Sequence, residues 1–335
     1  MDVNKPFTQV VTTADQLRDA VTNAAEGAVI GIEKGEYDLS GHNMIVFKNK
    51  RNVMIRSVTG CPDDVVFKGS GFHKKDGHPT RPIDEPILIL ANCHHITIHG
   101  ITFRDSNCHG VKVSGEGNNS YVTVDRCKFF DINERMIKGS MGHDGAVIPG
   151  MRVTNNYFED TQLPYESDHM DVFEGNYISA MDMMVLHDAV VSNNVFVNIK
   201  GKSGGGRGAV FIWGLSKNIT VENNVFIQCD RGIAFGNPGS ISVAEGNAGY
   251  FVDGGVIRNN TIIGSTGQGI EIANTNNVTI SNNTIYCPTN TTMAIEDTGS
   301  KKPDRVSANL TICDNVIKGV VDAPLAVTAR NVFVE

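Results

Sequence analysis

The chain is poor in the features that mark most other architectures. One tryptophan stands among 335 residues, aromatic residues make up 7% and charged residues 20%. The seven cysteines are scattered singly, at positions 61, 93, 108, 127, 229, 287 and 313. They form no CxxC pair and no finger-like spacing, which argues against a disulfide framework or a zinc site. No apolar run approaches the length of a membrane-spanning helix, so no membrane insertion is expected. The first residues carry neither the basic start nor the apolar stretch of a secretory leader. A net charge of −8 leaves no basic surface for a nucleic-acid backbone, so no nucleic-acid partner is expected.

What the chain does have is a short phrase that recurs. Copies run over Ile96–Phe103, Val122–Phe129, Met151–Phe158, Val190–Phe196, Ile219–Phe226, Val256–Ile262, Val278–Ile285 and Leu310–Ile317. The spacing is irregular, roughly 23 to 38 residues, within the range of stacked repeats. Inside each copy apolar and polar residues alternate, the pattern of a strand with one buried face. A paired Asn then breaks the alternation and marks a corner, since Asn tolerates left-handed backbone and its amide can bond its counterparts in neighbouring coils. Asn156, Asn194, Asn224, Asn260, Asn283 and Asn315 are expected to form that ladder, with Gly100 and Cys127 in its place in the first two coils. A second phrase begins with or near Gly, as in Gly110–Val113, Gly232–Phe235 and Gly269–Ile272. A copy too short to bury an apolar face alone is stable only when stacked. The expected fold is therefore all-β, a single-stranded right-handed parallel β-helix.

One domain is expected over residues 1–335, with an N-terminal cap over about 1–40 and coils from about 41 to the end, interrupted by an insertion at 160–182. Thr13-Ala-Asp-Gln16 is a capping-box pattern, and Leu17, Ala20, Val21 and Ala24 follow at helical spacing. A short helix over Thr13–Ala24 would close the open end of the solenoid, whose first coil otherwise exposes a sheet edge. Leu325–Val334 reads as a last, simplified coil. About ten coils and a monomer are expected.

The helix, the Ile-x-x-Gly-x-Tyr ending at Tyr37 and the Asn-Asn corners resemble the right-handed β-helix proteins that act on polysaccharides. The likeness is nearest to lyases of the chondroitinase-B and alginate-lyase type, with pectate lyases and mannuronan epimerases further off. Lys138-Gly139-Ser140 stands where that lyase group carries a Lys-Ser context, and its Arg-His-Gly has no counterpart here. Gly206-Arg207-Gly208-Ala209-Val210-Phe211 and Cys229-Asp230-Arg231-Gly232 resemble a pair of motifs in uncharacterised bacterial β-helix repeat proteins. The resemblance implies an acidic polysaccharide or oligosaccharide as partner. The expected location is extracytoplasmic, with an export leader not among these residues, the alternative being the cytosol.

Function is expected where charge and insertions violate the repeat, between residues 135 and 240. Superposing the Gly-strand phrases aligns His109, Arg135, Asp182, the Arg207-Gly208 step, Arg231 and Gln268. Three residues on, it aligns Lys112, Lys138, Val185, Phe211, Ala234 and Glu271. Such a stripe reads either as a cleft or as ion pairs between adjacent coils. Lys112, Arg135, Asp182, Trp213 and Asp230 are the candidate substrate-binding residues, and Arg207 with Arg231 suits the carboxylates of a uronate polymer. The Gly204–Gly206 run would give a sugar room to approach. Trp213 reads equally as a sugar platform or as a corner residue, and Asp230 either orients or neutralises Arg231.

The chemistry that fits is β-elimination, which needs an electrostatic partner for the carboxylate and a positioned base. Lys138 is the candidate base, flanked by Lys112 and Arg135. His187 is the rival base or the acid, or else a turn histidine bonded to Asp188. No cofactor is required. Should Ca²⁺ bind, Asp168, Asp171 and Asp182 of the insertion are the candidate oxygen ligands. A second basic and acidic loop, His73 to Arg81, is expected to form the opposite wall. The alternatives are a glycoside hydrolase using Asp182 and Asp230, a uronate epimerase, or a non-catalytic polysaccharide-binding protein.

Overall fold

The computed structural model describes residues 2–41, 43–73, 86–115, 117–142, 145–165, 175–239, 249–301 and 306–335. Three long parallel sheets run the length of the chain, here called A, B and C, and successive strands visit them in turn. Strands of sheet A begin the repeated phrase, as in Arg152–Thr154, and strands of sheet B end it, as in Tyr157–Glu159. Strands of sheet C, as in Arg135–Gly139, carry the Gly-type phrase. The result is a right-handed parallel β-helix. Among the described residues sheet C has ten strands and sheet B eleven, beside the about ten coils expected.

The corner between sheets A and B is built by the Asn pair. The first Asn of each pair turns the chain through left-handed backbone, with φ of 58° at Asn155 and 57° at Asn193 and Asn223. The second is buried and joins the ladder. The backbone N–H and side-chain amide of Asn156 both donate to Oδ1 of Asn194, at 2.9 and 3.0 Å. The same pair of bonds links Asn194 to Asn224, Asn224 to Asn260, Asn260 to Asn283 and Asn283 to Asn315. Asn331 extends the ladder by one more coil. Cys127 holds the ladder position and donates its N–H to Asn156. Gly100 does not: it takes the left-handed position, with φ of 63°, and the buried Ile101 sits where later coils place Asn.

The core follows the same logic of like above like. Phe103, Phe129, Phe158, Phe196 and Phe226 stack nearly parallel at centroid spacings of 4.8–4.9 Å, the rise between coils. Each ring is fully buried, contributing roughly 1.5–3 kcal/mol by burial. Ile262, Ile285 and Ile317 continue the column. The Gly that opens the sheet C phrase has a steric reason. A Cβ at Gly232 would lie 2.6 Å from the carbonyl of Gly269, and one at Gly269 equally close to that of Ala294.

The helix spans Ala14–Thr22 and buries Leu17, Ala20 and Val21 over the first coil. Thr13 caps it by accepting from Gln16 N, while Gln16 Oε1 accepts from Thr12 N. A short strand, Gln9–Val11, precedes the helix and pairs with Val29–Ile32 as the edge of sheet A. At the other end Val327–Ala329 and Val332–Phe333 pair onto the preceding coil as expected. No helix among the described residues is long and apolar enough to cross a membrane.

Candidate functional site

Sheet C is the face where the coil is interrupted. The connections 69–87, 160–178 and 198–209 enter it from sheet B, and 236–251 and 298–310 leave it. The first two, expected on opposite sides of a groove, lie on the same side. The rings of His73 and Tyr165 stack at 3.7 Å, 9° apart.

The register corrects the aligned stripe. Lys112, Lys138, Asp182, Phe211, Ala234 and Glu271 are successive rung partners, followed by Glu296 and Asp322. Asp182 thus belongs to the row of Lys138, and Ser179 is the partner of Arg135. Val185, expected in this row, turns the corner to sheet A with φ of 54°.

Asp182 is the centre of the cluster. Its Oδ2 accepts from Arg135 Nε at 2.7 Å and from Lys138 Nζ at 2.8 Å, and its Oδ1 accepts from Trp213 Nε1 at 3.0 Å. Arg135 is 1% exposed and Asp182 2%, so this is a buried two-cation, one-anion group. Burial pushes the Asp182 carboxyl up, but the charges of Lys138 and Arg135 and the bonds from Lys138 and Trp213 more than offset it and hold it well below the usual carboxylate range. The guanidinium of Arg135 also lies 3.8 Å over the ring of Tyr177. The ion-pair reading of the stripe is therefore realised at Lys138 and Arg135.

Two further guanidiniums stand alongside. Arg231 donates to Gln268 Oε1 and to the carbonyl of Gly206, both at 2.6 Å, and lies 3.4 Å from Glu271. Burial, and the nearby charges of Arg135 and Arg231, push Arg207 down from its ordinary value against the opposing pull of Glu271 and Asp182. Arg135, Lys138, Arg207 and Arg231 thus lie along four successive coils of sheet C, with Asp182 on the coil between Lys138 and Arg207 and Lys112 one rung before Lys138.

Other candidates fall elsewhere. His187 lies on sheet A, in the strand Leu186–His187, and its Nε2 bonds the carbonyl of Leu215 at 3.2 Å. It faces neither Asp182 nor the arginines because the corner at Val185 intervenes, and its neighbour Asp188 is bonded to Asn218 instead. Asp230 is a loop anchor rather than a sugar ligand. Its Oδ2 accepts from the N–H groups of Gly201 and Gly206, at 2.8 and 2.9 Å, and Thr266 donates to its Oδ1. The glycines before Arg207 serve that packing: a Cβ at Gly206 would meet Asp230 at 3.0 Å, and one at Gly205 would meet Asn176 at 2.9 Å. Trp213 is half-buried, stacked on Phe211 at 5.7 Å and bonded to Asp182, so its polar edge is already used. Asp182 is spent on three donors, which leaves it unsuited to Ca²⁺. Asp168 and Asp171 lie outside the described residues, as do Lys74 to Arg81 of the other loop.

Sequence reasoning missed one carboxylate pair. Glu271 and Glu296 are rung partners, 5% and 6% exposed. Burial pushes Glu271 up, with Glu296 adding to the shift and Arg231 opposing it. Glu296 accepts from Gln268 Nε2 at 2.7 Å and from Lys301. The strand Met293–Asp297 lacks the opening Gly, the only signal that would have aligned Glu296 with Glu271.

The family pattern described as the right handed beta helix region matches residues 86–248. No curated protein sequence matches the chain. Among solved structures, the polygalacturonase of Erwinia carotovora ssp. carotovora is similar, with a TM-score of 0.61 and 11% identity over 100% of this chain and 96% of that one. Endopolygalacturonase I of Stereum purpureum gives 0.54 and 11% identity over 97% and 98%. PfbA, a surface adhesin of Streptococcus pneumoniae, gives 0.51 and 13% identity over 96% and 85%. At such identities the likeness is one of fold, and function has to be argued from the site.

Proposed function

We propose that the chain is a carbohydrate-active protein that binds a uronate-containing polysaccharide along sheet C and cleaves it by β-elimination. The observation that carries this reading is the cationic cluster on sheet C, in which the half-buried Arg207 stands beside Arg135 and Arg231, with Glu271 and Asp182 only partly offsetting their mutual repulsion. A ligand carboxylate placed there relieves that repulsion and meets a bidentate partner. It also has its charge offset, which acidifies the proton α to it. The endopolygalacturonase of like fold is complexed with two galacturonate, the same class of sugar. In this reading Arg207 and Arg231 hold the carboxylate. Lys138 remains the candidate base, and as the ammonium bonded to Asp182 it must first leave that bond and release a proton to solvent before its amine can take one from the sugar.

A second reading rests on Glu271 and Glu296. Adjacent rungs are about 4.8 Å apart, near the separation of about 5–5.5 Å used by retaining glycosidases. The raised Glu271 suits an acid, and Glu296, bonded by Gln268 and Lys301, suits a nucleophile. The pair Asp182 and Asp230 does not serve hydrolysis, because both carboxylates are saturated by protein donors.

Incubation with a panel of uronate polymers separates the readings. Elimination leaves a conjugated double bond that absorbs in the ultraviolet, whereas hydrolysis yields reducing ends without that absorbance. Ultraviolet-absorbing product lost in both Arg207→Ala and Lys138→Ala supports the lyase. Reducing ends alone, lost in Glu271→Gln, replace it with the hydrolase. Binding without either product leaves a polysaccharide-binding protein.

A further inference from the structure

We infer that Cys108, His109 and Glu134 form a binding site for a divalent cation of borderline softness, of which zinc is the type. The three residues lie at the corner where the chain enters sheet C, one coil before the Arg135–Asp182 group. Cys108 and His109 are consecutive, and Glu134 precedes Arg135, the rung partner of His109. One donor atom from each lies within 4.8 Å of the other two. Cys108 Sγ is 3.8 Å from Glu134 Oε2, and His109 Nδ1 is 3.9 Å from the same oxygen.

Those separations are close to what a tetrahedral ion requires. Bonds of about 2.3 Å to sulfur and about 2.0–2.2 Å to nitrogen and oxygen put ligand atoms about 3.3–3.6 Å apart. The first two gaps therefore close by a few tenths of an ångström, within the reach of small side-chain rotations. The donors are of the right kind, a thiolate, an imidazole and a carboxylate. Charge also balances, since a thiolate and a carboxylate neutralise a divalent ion in a site where each residue is no more than 5% exposed. The backbone holds the donors in place without the ion. Arg135 N donates to the carbonyl of Cys108 at 3.2 Å, Asn133 N to that of Ser106 at 2.9 Å, and Ser179 N to that of Glu134 at 3.0 Å. Three protein donors among the described residues leave a fourth position for water or a further ligand. Sequence spacing hides the site, because two of its members are neighbours and the third arrives one coil later.

The inference stands apart from the reading of the polysaccharide site. Its test uses the full-length chain, stripped with chelator and titrated with zinc chloride and then with cobalt chloride. One zinc per chain should bind, raise the melting temperature and be released by chelator. Cobalt should give a thiolate-to-metal charge-transfer band in the near ultraviolet. Loss of outer-shell partners costs about 10- to 100-fold in metal affinity, so Cys108→Ser and Glu134→Gln should each weaken zinc by more than about 100-fold. Cys61→Ser, at an exposed cysteine, should leave both signals unchanged. If either ligand variant fails to fold, the cobalt band of the wild type decides alone. No stoichiometric zinc, no thiolate band, or equal affinity in folded Cys108→Ser overturns the assignment.

Discussion

Lys138 and Asp182 are rung partners on adjacent coils, and their charged groups meet at 2.8 Å on the outer face of sheet C. Arg135 bonds the same carboxylate oxygen and Trp213 the other. Two cations and an indole converge on one buried anion, so the group tests both stability and function.

Asp182→Asn should destabilise the fold by about 3–5 kcal/mol, because it strands two buried cations. Chemical denaturation at neutral pH measures this. The folded carboxyl titrates below its unfolded value, so its contribution is complete above about pH 4. That contribution is lost as pH falls through the lower folded value. Wild-type stability should therefore drop on acidification below about pH 4, and the Asn variant should drop less. An equal drop in both proteins would remove Asp182 as the cause.

Asp160 carries the opposite sign. It is buried, Oδ1 accepts from Ile132 N, and Oδ2 has no hydrogen-bond partner among the described residues. Burial, with Asp131 and Glu159 nearby, pushes its carboxyl well above the ordinary range. The folded state holds a proton that the unfolded state releases near pH 4, so stability falls as pH rises from there toward the folded value, by roughly 1.4 kcal/mol per pH unit. Asp160→Asn should flatten that slope in a series of denaturation curves. A slope unchanged by the substitution counts against a protonated Asp160.

The two members of an Asn corner should respond differently. Asn224→Ala removes the acceptor of two buried amide donors on Asn194 and should cost about 2–5 kcal/mol. Asn223→Gly keeps the left-handed turn without a Cβ penalty and should change stability by less than about 1 kcal/mol. Melting curves of the two variants side by side would show whether the ladder or the turn holds the corner.

On the lyase reading, Arg207→Ala should reduce both substrate affinity and turnover, since the group meets the carboxylate before and during reaction. A loss of about 100- to 1000-fold in kcat/KM is the scale for such a stabiliser. Lys138→Ala should lower kcat with KM nearly unchanged. Normal kcat in the Lys138 variant would require another base, and His187, on a different sheet, is not placed to supply it.

What the sequence made legible is what repeats. The Asn corners, the Phe column and the Thr13-capped helix each recur or carry a local signature, and each stands where alternation and spacing put it. The slip of three residues at Asp182 arose where repetition failed. Ala180 stands in the column where Gly110, Gly232 and Gly269 open their strands, and the hydroxyl of Ser179 before it bonds the carbonyls of Met181 and Gly208. With no Gly to mark the start of the strand after the long insertion, alternation alone leaves its register open, and His187 lies past the corner at Val185, on sheet A. Asp230 misled for a related reason. Proximity in sequence paired it with Arg231, whereas the coil turns its carboxylate toward the loop of the preceding coil.

The Asn ladder has a direction. In every coil from Asn156 to Asn315 the donors point forward, to an oxygen that arrives only with the next coil. A half-synthesised chain therefore ends in two N–H groups aimed at a residue not yet made. The newest corner is a template with one vacancy, and the segment next to emerge carries the group that fits it. On this geometry growth from the N-terminal cap is expected to be vectorial, with each coil recruiting its successor.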